Sequence, residues 1–300
     1  MEIGEPTPLP GGMSGETFRA RVAGEDVVVR IYGGRSVRRG PKAPEVDAAV
    51  LSWVRGLLPV AEVLEVRRAD PEHEAPGLLV TSLLPGVRLE QVLPDLDDAA
   101  LGRVGDQLGT MLGRLALIAT PRPGLLDGPD LAIAPLPPAY ADLPSFADHV
   151  DLDWPEADLS ALGEVLTDAQ ALLDTVSRTC LVHGDVNAEN VLVDPDTLEV
   201  TGLVDWEFAH AGSPYADLGN LLRFDRAPAY VEAVLEARGR LVPDQRPDAL
   251  DRARAADLFA LLDLAARAEQ DPVAARATGQ LRAVVAARDV HGYYDQSPMA

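Results

Sequence analysis

The chain contains 300 residues, of which 47% are hydrophobic and 25% are charged, a composition that indicates a globular protein and excludes a disordered tail or a fibre. Its 48 acidic and 26 basic residues give a formal net charge of −22, which argues against a nucleic-acid partner because phosphate contacts need cations. A single cysteine, with no secretory leader and no long apolar run, predicts a cytoplasmic protein without membrane contact.

The negative charge is distributed unevenly along the chain. Residues 1–90 carry 13 acidic and 11 basic residues, whereas residues 91–300 carry 35 and 15. Residues 123–177 contain 11 acidic residues and no Lys or Arg. If the chain binds a cationic partner, we therefore expect the second part of the chain to bind it.

The N-terminal region predicts strands and one helix. Thr17–Val22 and the β-branched Val27–Ile31 flank a Gly-Glu-Asp turn, so we expect a β-hairpin. Apolar residues at helical spacing predict a helix over Glu45–Leu58. Two further strands are predicted, at Val60–Arg67 and at Gly77–Leu84.

The remainder of the chain has mainly helical patterns. Pro85-Gly86 predicts a boundary, because both residues disfavour the continuation of a strand. Apolar periodicity predicts helices over Asp97–Ile118, over Leu159–Val176 and through most of Pro214–Val290. The Pro- and Gly-rich stretch Pro121–Pro144 predicts an extended connection.

Residues 181–207, LVHGDVNAENVLVDPDTLEVTGLVDWE, are the most informative segment. An Asp-Pro-Asp turn separates two predicted strands, residues 191–193 and 198–204, which form a hairpin. Antiparallel pairing of these strands brings Asn190 close to Asp205. Because Mg²⁺ prefers carboxylate and amide oxygens together with substrate phosphates, this end of the hairpin predicts a magnesium site.

Asp185 precedes Asn190 by five residues, and Asp205 follows across the hairpin, a spacing that resembles the catalytic loop of the protein-kinase-like fold. The pattern HGDxxxxN followed by two apolar residues and DWE is similar to the aminoglycoside phosphotransferase family; protein kinases have H-R-D and D-F-G instead. The resemblance implies an α+β fold with two lobes. A small β-rich nucleotide-binding lobe over residues 1–84 would join, through a hinge at about residues 81–86, a larger helical lobe over residues 87–300 that binds the acceptor.

The same resemblance implies roles for the polar residues of this segment. Asp185 would be the catalytic base for a substrate hydroxyl, and Asn190 and Asp205 would hold Mg²⁺. His183 is expected to fix the loop by hydrogen bonding, and Asp217 to brace the backbone of the loop. A lone aspartate in a loop is ordinarily a turn cap. Here the positions of Asn190 and Asp205 favour the catalytic interpretation.

The nucleotide, ATP or GTP, is expected to bind in the small lobe. Arg30 occupies the place of the phosphate-contacting lysine of kinases, and Glu45 would orient it through an ion pair. The glycine-rich stretch before the first hairpin would contact phosphates, and the main chain of the hinge would bind the base. The residues expected to bind nucleotide are Arg30, Glu45, Ser14, Gly15, Ser82 and Leu84.

These observations predict an O-phosphotransferase that transfers the γ-phosphate to a hydroxyl of a cationic antibiotic, an aminoglycoside or a basic peptide, and so confers resistance. The carboxylates expected near the acceptor are Asp148, Asp151, Asp153, Glu156 and Asp263. Acidic surfaces are also common for solubility, so this set is open. Two alternatives remain, namely a housekeeping kinase for an amino alcohol, a sugar or a homoserine-like metabolite, and a catalytically silent binding module.

Overall fold

The structure is a computed structural model that describes residues 6–9, 16–33, 39–242, 247–267 and 272–295. Its N-terminal part is rich in sheet and the rest is mainly helical, which confirms the α+β class. The strands are β1 (Thr7–Pro8), β2 (Glu16–Val22), β3 (Glu25–Tyr32), β4 (Val63–Arg67), β5 (Gly77–Ser82), β6 (Val87–Arg88), β7 (Ala119–Thr120), β8 (Gly124–Asp127), β9 (Ala132–Ala134), β10 (Thr179–Val182), β11 (Val191–Val193), β12 (Val200–Leu203) and β13 (His210–Gly212). The helices are α1 (Ala43–Val54), α2 (Asp98–Leu117), α3 (Leu143–Ala147), α4 (Glu156–Leu173), α5 (Ala216–Leu222), α6 (Pro228–Leu241), α7 (Ala249–Ala265) and α8 (Pro272–Ala287).

The N-terminal sheet has the antiparallel order β1-β2-β3-β5-β4. The predicted hairpin is present as β2 and β3, in a register that pairs Thr17 with Arg30. Helix α1 packs against this sheet through Val50 and Val54, which are fully buried. The helix ends at Val54, earlier than the apolar spacing predicted, because Arg55 adopts an extended conformation.

The prediction of an extended connection over Pro121–Pro144 is wrong in part. This stretch contains β8 and β9, which join a second antiparallel sheet of order β7-β10-β13-β8-β9. Its strands have only two to four residues, too few for an alternating pattern to stand out. The sheet matters for the site because β10, which lies between β7 and β13, leads directly into the segment that contains Asp185.

A third sheet, of order β12-β11-β6, contains the predicted hairpin. Strand β6 follows the Pro85-Gly86 boundary and pairs Arg88 with Leu192 of β11. The chain that leaves the N-terminal sheet therefore pairs, through β6, with the hairpin that connects Asn190 to Asp205.

The helices surround these small sheets. Helix α2 begins at Asp97, whose side chain accepts a hydrogen bond from the Ala100 N–H and so caps the helix. Helix α2 packs against α6, and α7 packs against both α5 and α8. Among the described helices, none combines the length and the apolar character that crossing a membrane requires.

Candidate active site

The loop between β10 and β11 is held by the side chain of Asp217, the second residue of α5. Asp217 accepts the backbone N–H groups of His183 and Gly184, each at an N to O distance of 2.9 Å. Burial raises the pKa of Asp217, and His183 with the two N–H donors opposes that shift. Gly184 has a φ of 86°, and a Cβ there would lie 2.6 Å from the carbonyl oxygen of Phe208, so this turn requires glycine. The contacts match the bracing role predicted for Asp217.

His183 is fully buried, and its ring fixes the loop from the other side. The Nδ1 atom accepts the backbone N–H of Asp185 at 3.2 Å, and this leaves Nε2 to donate to the carbonyl oxygen of Val204 at 3.0 Å. The ring also contacts Trp206 edge-on, with centroids 4.5 Å apart. Both ring nitrogens are thus occupied by backbone groups, which agrees with the structural role expected for His183.

Both carboxylate oxygens of Asp185 are bound by amide side chains. Asn187 donates to Oδ1 at 2.9 Å, and Asn190 donates to Oδ2 at 2.8 Å. Asn187 is itself fixed, because its own oxygen accepts the backbone N–H groups of Glu189 and Asn190. Two neutral donors hold the carboxylate in one orientation without neutralising its charge. The sequence analysis gave Asn187 no role, although its place between Asp185 and Asn190 was a usable signal.

The hairpin brings Asn190 and Asp205 to the same strand end, as predicted. The backbone N–H of Val204 donates to the carbonyl oxygen of Asn190 at 2.9 Å, so Asp205 is the next residue beyond the paired strands. Asp205 has φ 63° and ψ 65°, a left-handed conformation that is strained for a residue with a side chain.

The two side chains fit Mg²⁺ by their chemistry. The Asn190 amide nitrogen is engaged by Asp185, so the amide oxygen is turned away from that carboxylate and is available as a ligand. Asp205 adds a carboxylate, and Mg²⁺ ordinarily takes few protein ligands and completes its shell with phosphates and water. Within the described residues no group of three His, Cys, Asp or Glu side chains could hold a metal ion.

Arg30 of β3 reaches across to this strand end. Its guanidinium donates to Asp205 at 2.9 Å and to Glu207 at 2.5 Å. Burial lowers the pKa of Arg30, but the negative charges of Asp205, Asp47 and Glu207 together outweigh burial and raise it. The structure thus joins the N-terminal sheet to the hairpin through a permanently charged side chain.

The expected ion pair between Arg30 and Glu45 is wrong. Glu45, in the first turn of α1, instead pairs with Arg68 at 2.7 Å. The buried acid of α1 is Asp47, which accepts from the Tyr32 hydroxyl at 2.6 Å and from Arg39. Asp47 shares a helix face with Val50, Leu51 and Val54, so an acid within that apolar stripe was the available signal.

Glu207 is the second partner of Arg30 and was also missed. Its side chain is only 6% exposed, and it lies on the short 3₁₀ turn of residues 206–208. The DWE motif, in which Glu207 follows Asp205 by two residues, was the available signal. The carboxylate of Glu207 contributes to fixing the buried guanidinium of Arg30.

The two predicted hinge residues, Ser82 and Leu84, differ in whether their backbone groups already form hydrogen bonds. The backbone N–H of Ser82 donates to the carbonyl oxygen of Glu62 at 2.9 Å, and the Ser82 hydroxyl accepts the N–H of Glu62. These contacts hold Ser82 at the end of β5, between β3 and the chain before β4, and occupy its backbone donor. Leu84 lies beyond the end of β5, with no backbone hydrogen bond to any residue in the described ranges. Ser14 and Gly15 lie outside the described residues.

The carboxylates expected near the acceptor lie on the surface. Asp263, on α7, pairs with Arg267 at 2.7 Å. The other four are exposed in the connection between α3 and α4 and in the first turn of α4, and within the part of the chain that the structure describes they form no ion pair: Asp148, Asp151, Asp153 and Glu156.

A buried ion pair that the sequence analysis did not identify lies close to Asp185. Arg223 follows α5 and binds Asp257 of α7 through Nε and Nη2, at 2.9 and 2.7 Å. Asn220 donates to the same carboxylate at 3.0 Å. Burial lowers the pKa of Arg223, and Asp257 with a contribution from Asp185 raises it overall. The guanidinium of Arg223 is therefore within electrostatic reach of the Asp185 carboxylate.

Comparisons with known proteins agree with this geometry. Streptomycin 3''-kinase of Streptomyces griseus is 29% identical to this chain over 231 residues, which cover 72% of this chain and 82% of that protein. An aminoglycoside 3'-phosphotransferase of Streptomyces fradiae is 29% identical over 214 residues, which cover 66% and 76%.

Solved structures show the same fold. The crystal structure of aminoglycoside phosphotransferase APH(4)-Ia is similar with a TM-score of 0.67 and 20% identity, over 95% of this chain and 94% of that chain. A thermostable mutant of the same protein, in a ternary complex with ADP and hygromycin B, gives a TM-score of 0.65 at 20% identity, with the same coverage.

The model of the phosphotransferase enzyme family, APH, matches residues 5–256, a range that includes Arg30, the loop between β10 and β11, the hairpin and α5. The chain belongs to this family and is a phosphotransferase enzyme.

Proposed function

We propose that this chain transfers the γ-phosphate of ATP or GTP to a hydroxyl group of an aminoglycoside-type antibiotic and so confers resistance to it. The observation that carries the proposal is the convergence of Asp185, Asn190 and Asp205 at one hairpin end, with Arg30 bound to Asp205 at 2.9 Å. A silent binding module would have no need of this arrangement.

Asp185 is the proposed catalytic base. The amides of Asn187 and Asn190 hold its two oxygens, so the carboxylate keeps a fixed orientation toward an incoming hydroxyl. The base accepts the hydroxyl proton as the oxygen attacks phosphorus. Because phosphoryl transfer depends mainly on positioning and electrostatics, this orientation is the principal contribution of the loop.

Arg30 is the proposed contact for the nucleotide phosphates. Its guanidinium is charged at any physiological pH and can exchange its carboxylate partners for phosphate oxygens. Asn190 and Asp205 would hold Mg²⁺, which neutralises charge on the β- and γ-phosphates. The main chain of Leu84 has no backbone hydrogen bond within the described ranges and is the proposed contact for the base, whereas Ser82 is engaged with Glu62; Ser14 and Gly15 remain proposed phosphate contacts.

The division into a nucleotide lobe and an acceptor lobe is likewise proposed. Residues 1–84 and 87–300 would move about residues 81–86, where the chain passes from β5 to β6. Arg30 then belongs to the first lobe and Asp185 to the second, so closure of the lobes would bring the nucleotide phosphates to the base.

The proposed acceptor is cationic overall. Two relatives are named as kinases of streptomycin and of aminoglycosides, and a solved structure of the same fold contains hygromycin B with ADP. The excess of acidic residues in residues 91–300 would attract such a molecule. The exposed carboxylates at Asp148, Asp151, Asp153 and Glu156 are the proposed local contribution, whereas Asp263 is engaged with Arg267.

The test is a panel of acceptors with the purified protein and either ATP or GTP. The panel contains aminoglycosides, cyclic basic peptides, macrolides and neutral alcohols, and mass spectrometry detects a product that has gained one phosphate. We expect phosphorylation of at least one aminoglycoside. Turnover of neutral alcohols alone would contradict the proposed acceptor, and absence of transfer to every member would contradict the antibiotic function.

A further inference from the structure

Phe208 is a large aromatic residue that the fold leaves in solvent. At 52% exposure, it is the most exposed of the large hydrophobic residues that the structure describes. Its neighbours in the 3₁₀ turn of residues 206–208 are buried, since Trp206 is 4% exposed and the Glu207 side chain is 6% exposed. Single exposed apolar residues are common on protein surfaces, so the exposure of Phe208 acquires meaning only from what lies beside it.

Phe208 lies against the loop that carries Asp185. Gly184, the residue before Asp185, is so close that a Cβ at Gly184 would lie 2.9 Å from the Cβ of Phe208 and 2.6 Å from its carbonyl oxygen. That carbonyl oxygen accepts a hydrogen bond from Nδ1 of His210 at 2.9 Å. The exposed ring therefore starts from a fixed backbone, next to the residue that precedes the proposed base.

The three residues of the turn point in three directions. Trp206 is directed into the core, where its ring contacts His183, and Glu207 is directed toward the N-terminal sheet, where it accepts from Arg30. Because a 3₁₀ helix has three residues per turn, successive side chains are about 120° apart. Phe208 takes the remaining direction. Its ring therefore extends away from Arg30, the proposed contact for the nucleotide phosphates.

An acceptor ring needs a contact that fixes its orientation as well as a charge that attracts it. The exposed acids between α3 and α4 supply attraction over a distance. An aromatic face supplies a directional contact, because its negative potential attracts polarised C–H groups and ammonium groups. The rings of an aminoglycoside carry both, with C–H groups on their faces and ammonium groups at their edges.

We propose that Phe208 contacts the acceptor, and that its ring packs against the apolar face of an amino-sugar or aminocyclitol ring beside the hydroxyl that Asp185 deprotonates. This inference rests on the proposed function, since it specifies how the same site recognises its acceptor. The contact is made equally before and during transfer, so it lowers the KM for the acceptor and leaves the rate of the chemical step to Asp185. It favours ring acceptors over open-chain amino alcohols, which present no such face.

The experiment compares the steady-state kinetics of the full chain with those of Phe208→Ala, Phe208→Tyr and Leu64→Ala at saturating nucleotide. The acceptor is a panel member that the wild type phosphorylates, with streptomycin and hygromycin B tried first. Phe208→Tyr keeps the aromatic face. Leu64→Ala is the matched control, because Leu64 of β4 is 50% exposed and lies outside the site. Thermal unfolding shows that each variant is folded.

We expect Phe208→Ala to raise the KM for the acceptor roughly three- to tenfold, as for the loss of one aromatic contact. The kcat and the KM for the nucleotide should stay within about twofold of the wild type. Phe208→Tyr and Leu64→Ala should both behave as the wild type. A ring that only supported the loop would instead lower kcat, because Asp185 would lose its orientation.

A second measurement needs no turnover. In Phe208→Trp, the fluorescence above that of the three native tryptophans reports on this position directly. Streptomycin or hygromycin B, added without nucleotide, should change this emission saturably. Ethanolamine, an open-chain amino alcohol, should leave it unchanged at the same concentration.

An acceptor that the wild type and Phe208→Ala phosphorylate with the same KM overturns this inference and leaves the proposed function intact, and so does a fall in kcat at unchanged KM. Failure of every panel member to be phosphorylated contradicts the proposed function instead. In that case the fluorescence decides: saturable change with an aminoglycoside supports the contact at Phe208, and emission that no aminoglycoside alters overturns it.

Discussion

Asp205 is the residue on which the proposed nucleotide site depends. Its backbone is held in a left-handed conformation, and its carboxylate is bound to Arg30. Strain of this kind persists only where the surrounding structure fixes it, and it is frequent at functional sites. The hydrogen bond from the Val204 N–H to the Asn190 carbonyl oxygen and the position after β12 bring this carboxylate to the strand end where Mg²⁺ would bind.

We predict that Asp205→Asn weakens nucleotide binding in the presence of Mg²⁺ by roughly tenfold or more, because a neutral amide is a poorer magnesium ligand than a carboxylate. Without Mg²⁺ the variant and the wild type should differ little. Titration of ATP at several Mg²⁺ concentrations measures both, with Asp196→Asn on the exposed turn of the same hairpin as the control. An unchanged response of Asp205→Asn to Mg²⁺ would remove the metal assignment.

Some of these residues could be predicted from the sequence because their spacing is local. The interval from Asp185 to Asn190 and the short hairpin to Asp205 determine which side chains meet, whatever surrounds them. The partner of Arg30 was mistaken because it depends on the rotation of α1 and on the path of the loop after Asp205. Glu45 pairs with Arg68, whereas Asp47 is buried. Because the two acids are two residues apart on α1, they lie on different faces of the helix.

At the scale of elements, α2 and α6 pack unusually closely through glycines of α2. Gly105, Gly109 and Gly113 recur every fourth residue, so they lie on one face. A Cβ at Gly109 would lie 2.3 Å from the carbonyl oxygen of Val234 and 2.8 Å from the Cβ of Ala237. This face leaves no room for a side chain, so the glycines determine how closely the two helices approach.

We predict that Gly109→Ala destabilises the protein by about 1–3 kcal/mol, because overpacking of a helix contact outweighs the gain in helix propensity. Gly102→Ala is the matched control on the same helix, since the nearest atom to its Cβ would be 4.0 Å away. It should gain up to about 1 kcal/mol. Urea unfolding measures both, and a Gly109→Ala variant as stable as Gly102→Ala would show that the two helices can separate freely.

The elements that periodicity could predict were the longer ones. Helix α2 and the β2–β3 hairpin were predicted because their patterns extend over several turns or residue pairs. Strands β8 and β9 were missed because each has four residues or fewer and the pairing of β8 with β13 is remote in sequence. The buried pair of Arg223 with Asp257 was also beyond prediction, since it joins the end of α5 to α7, which no local spacing relates.

For the whole molecule, most of the net charge of −22 can be assigned to one part of the chain, but not to a single acidic pocket among the described residues. The excess lies in residues 91–300, yet the residues closest to Asp185 on that side include Arg223, paired with Asp257. The exposed acids between α3 and α4 can attract a cationic acceptor from a distance. Net charge therefore predicts attraction of the acceptor and leaves its detailed recognition to the fold.

The central claim is that Asp185 is the catalytic base of a phosphoryl transfer, and the most direct measurement compares the wild type with Asp185→Asn. The acceptor is the aminoglycoside that the panel identifies, and single-turnover transfer and nucleotide affinity are both measured. Because asparagine preserves the shape of the side chain and removes the base, we predict a loss in the rate of transfer of about 100-fold or more, with nucleotide affinity within about twofold of the wild type. A variant that transfers phosphate at nearly the wild-type rate would contradict the account.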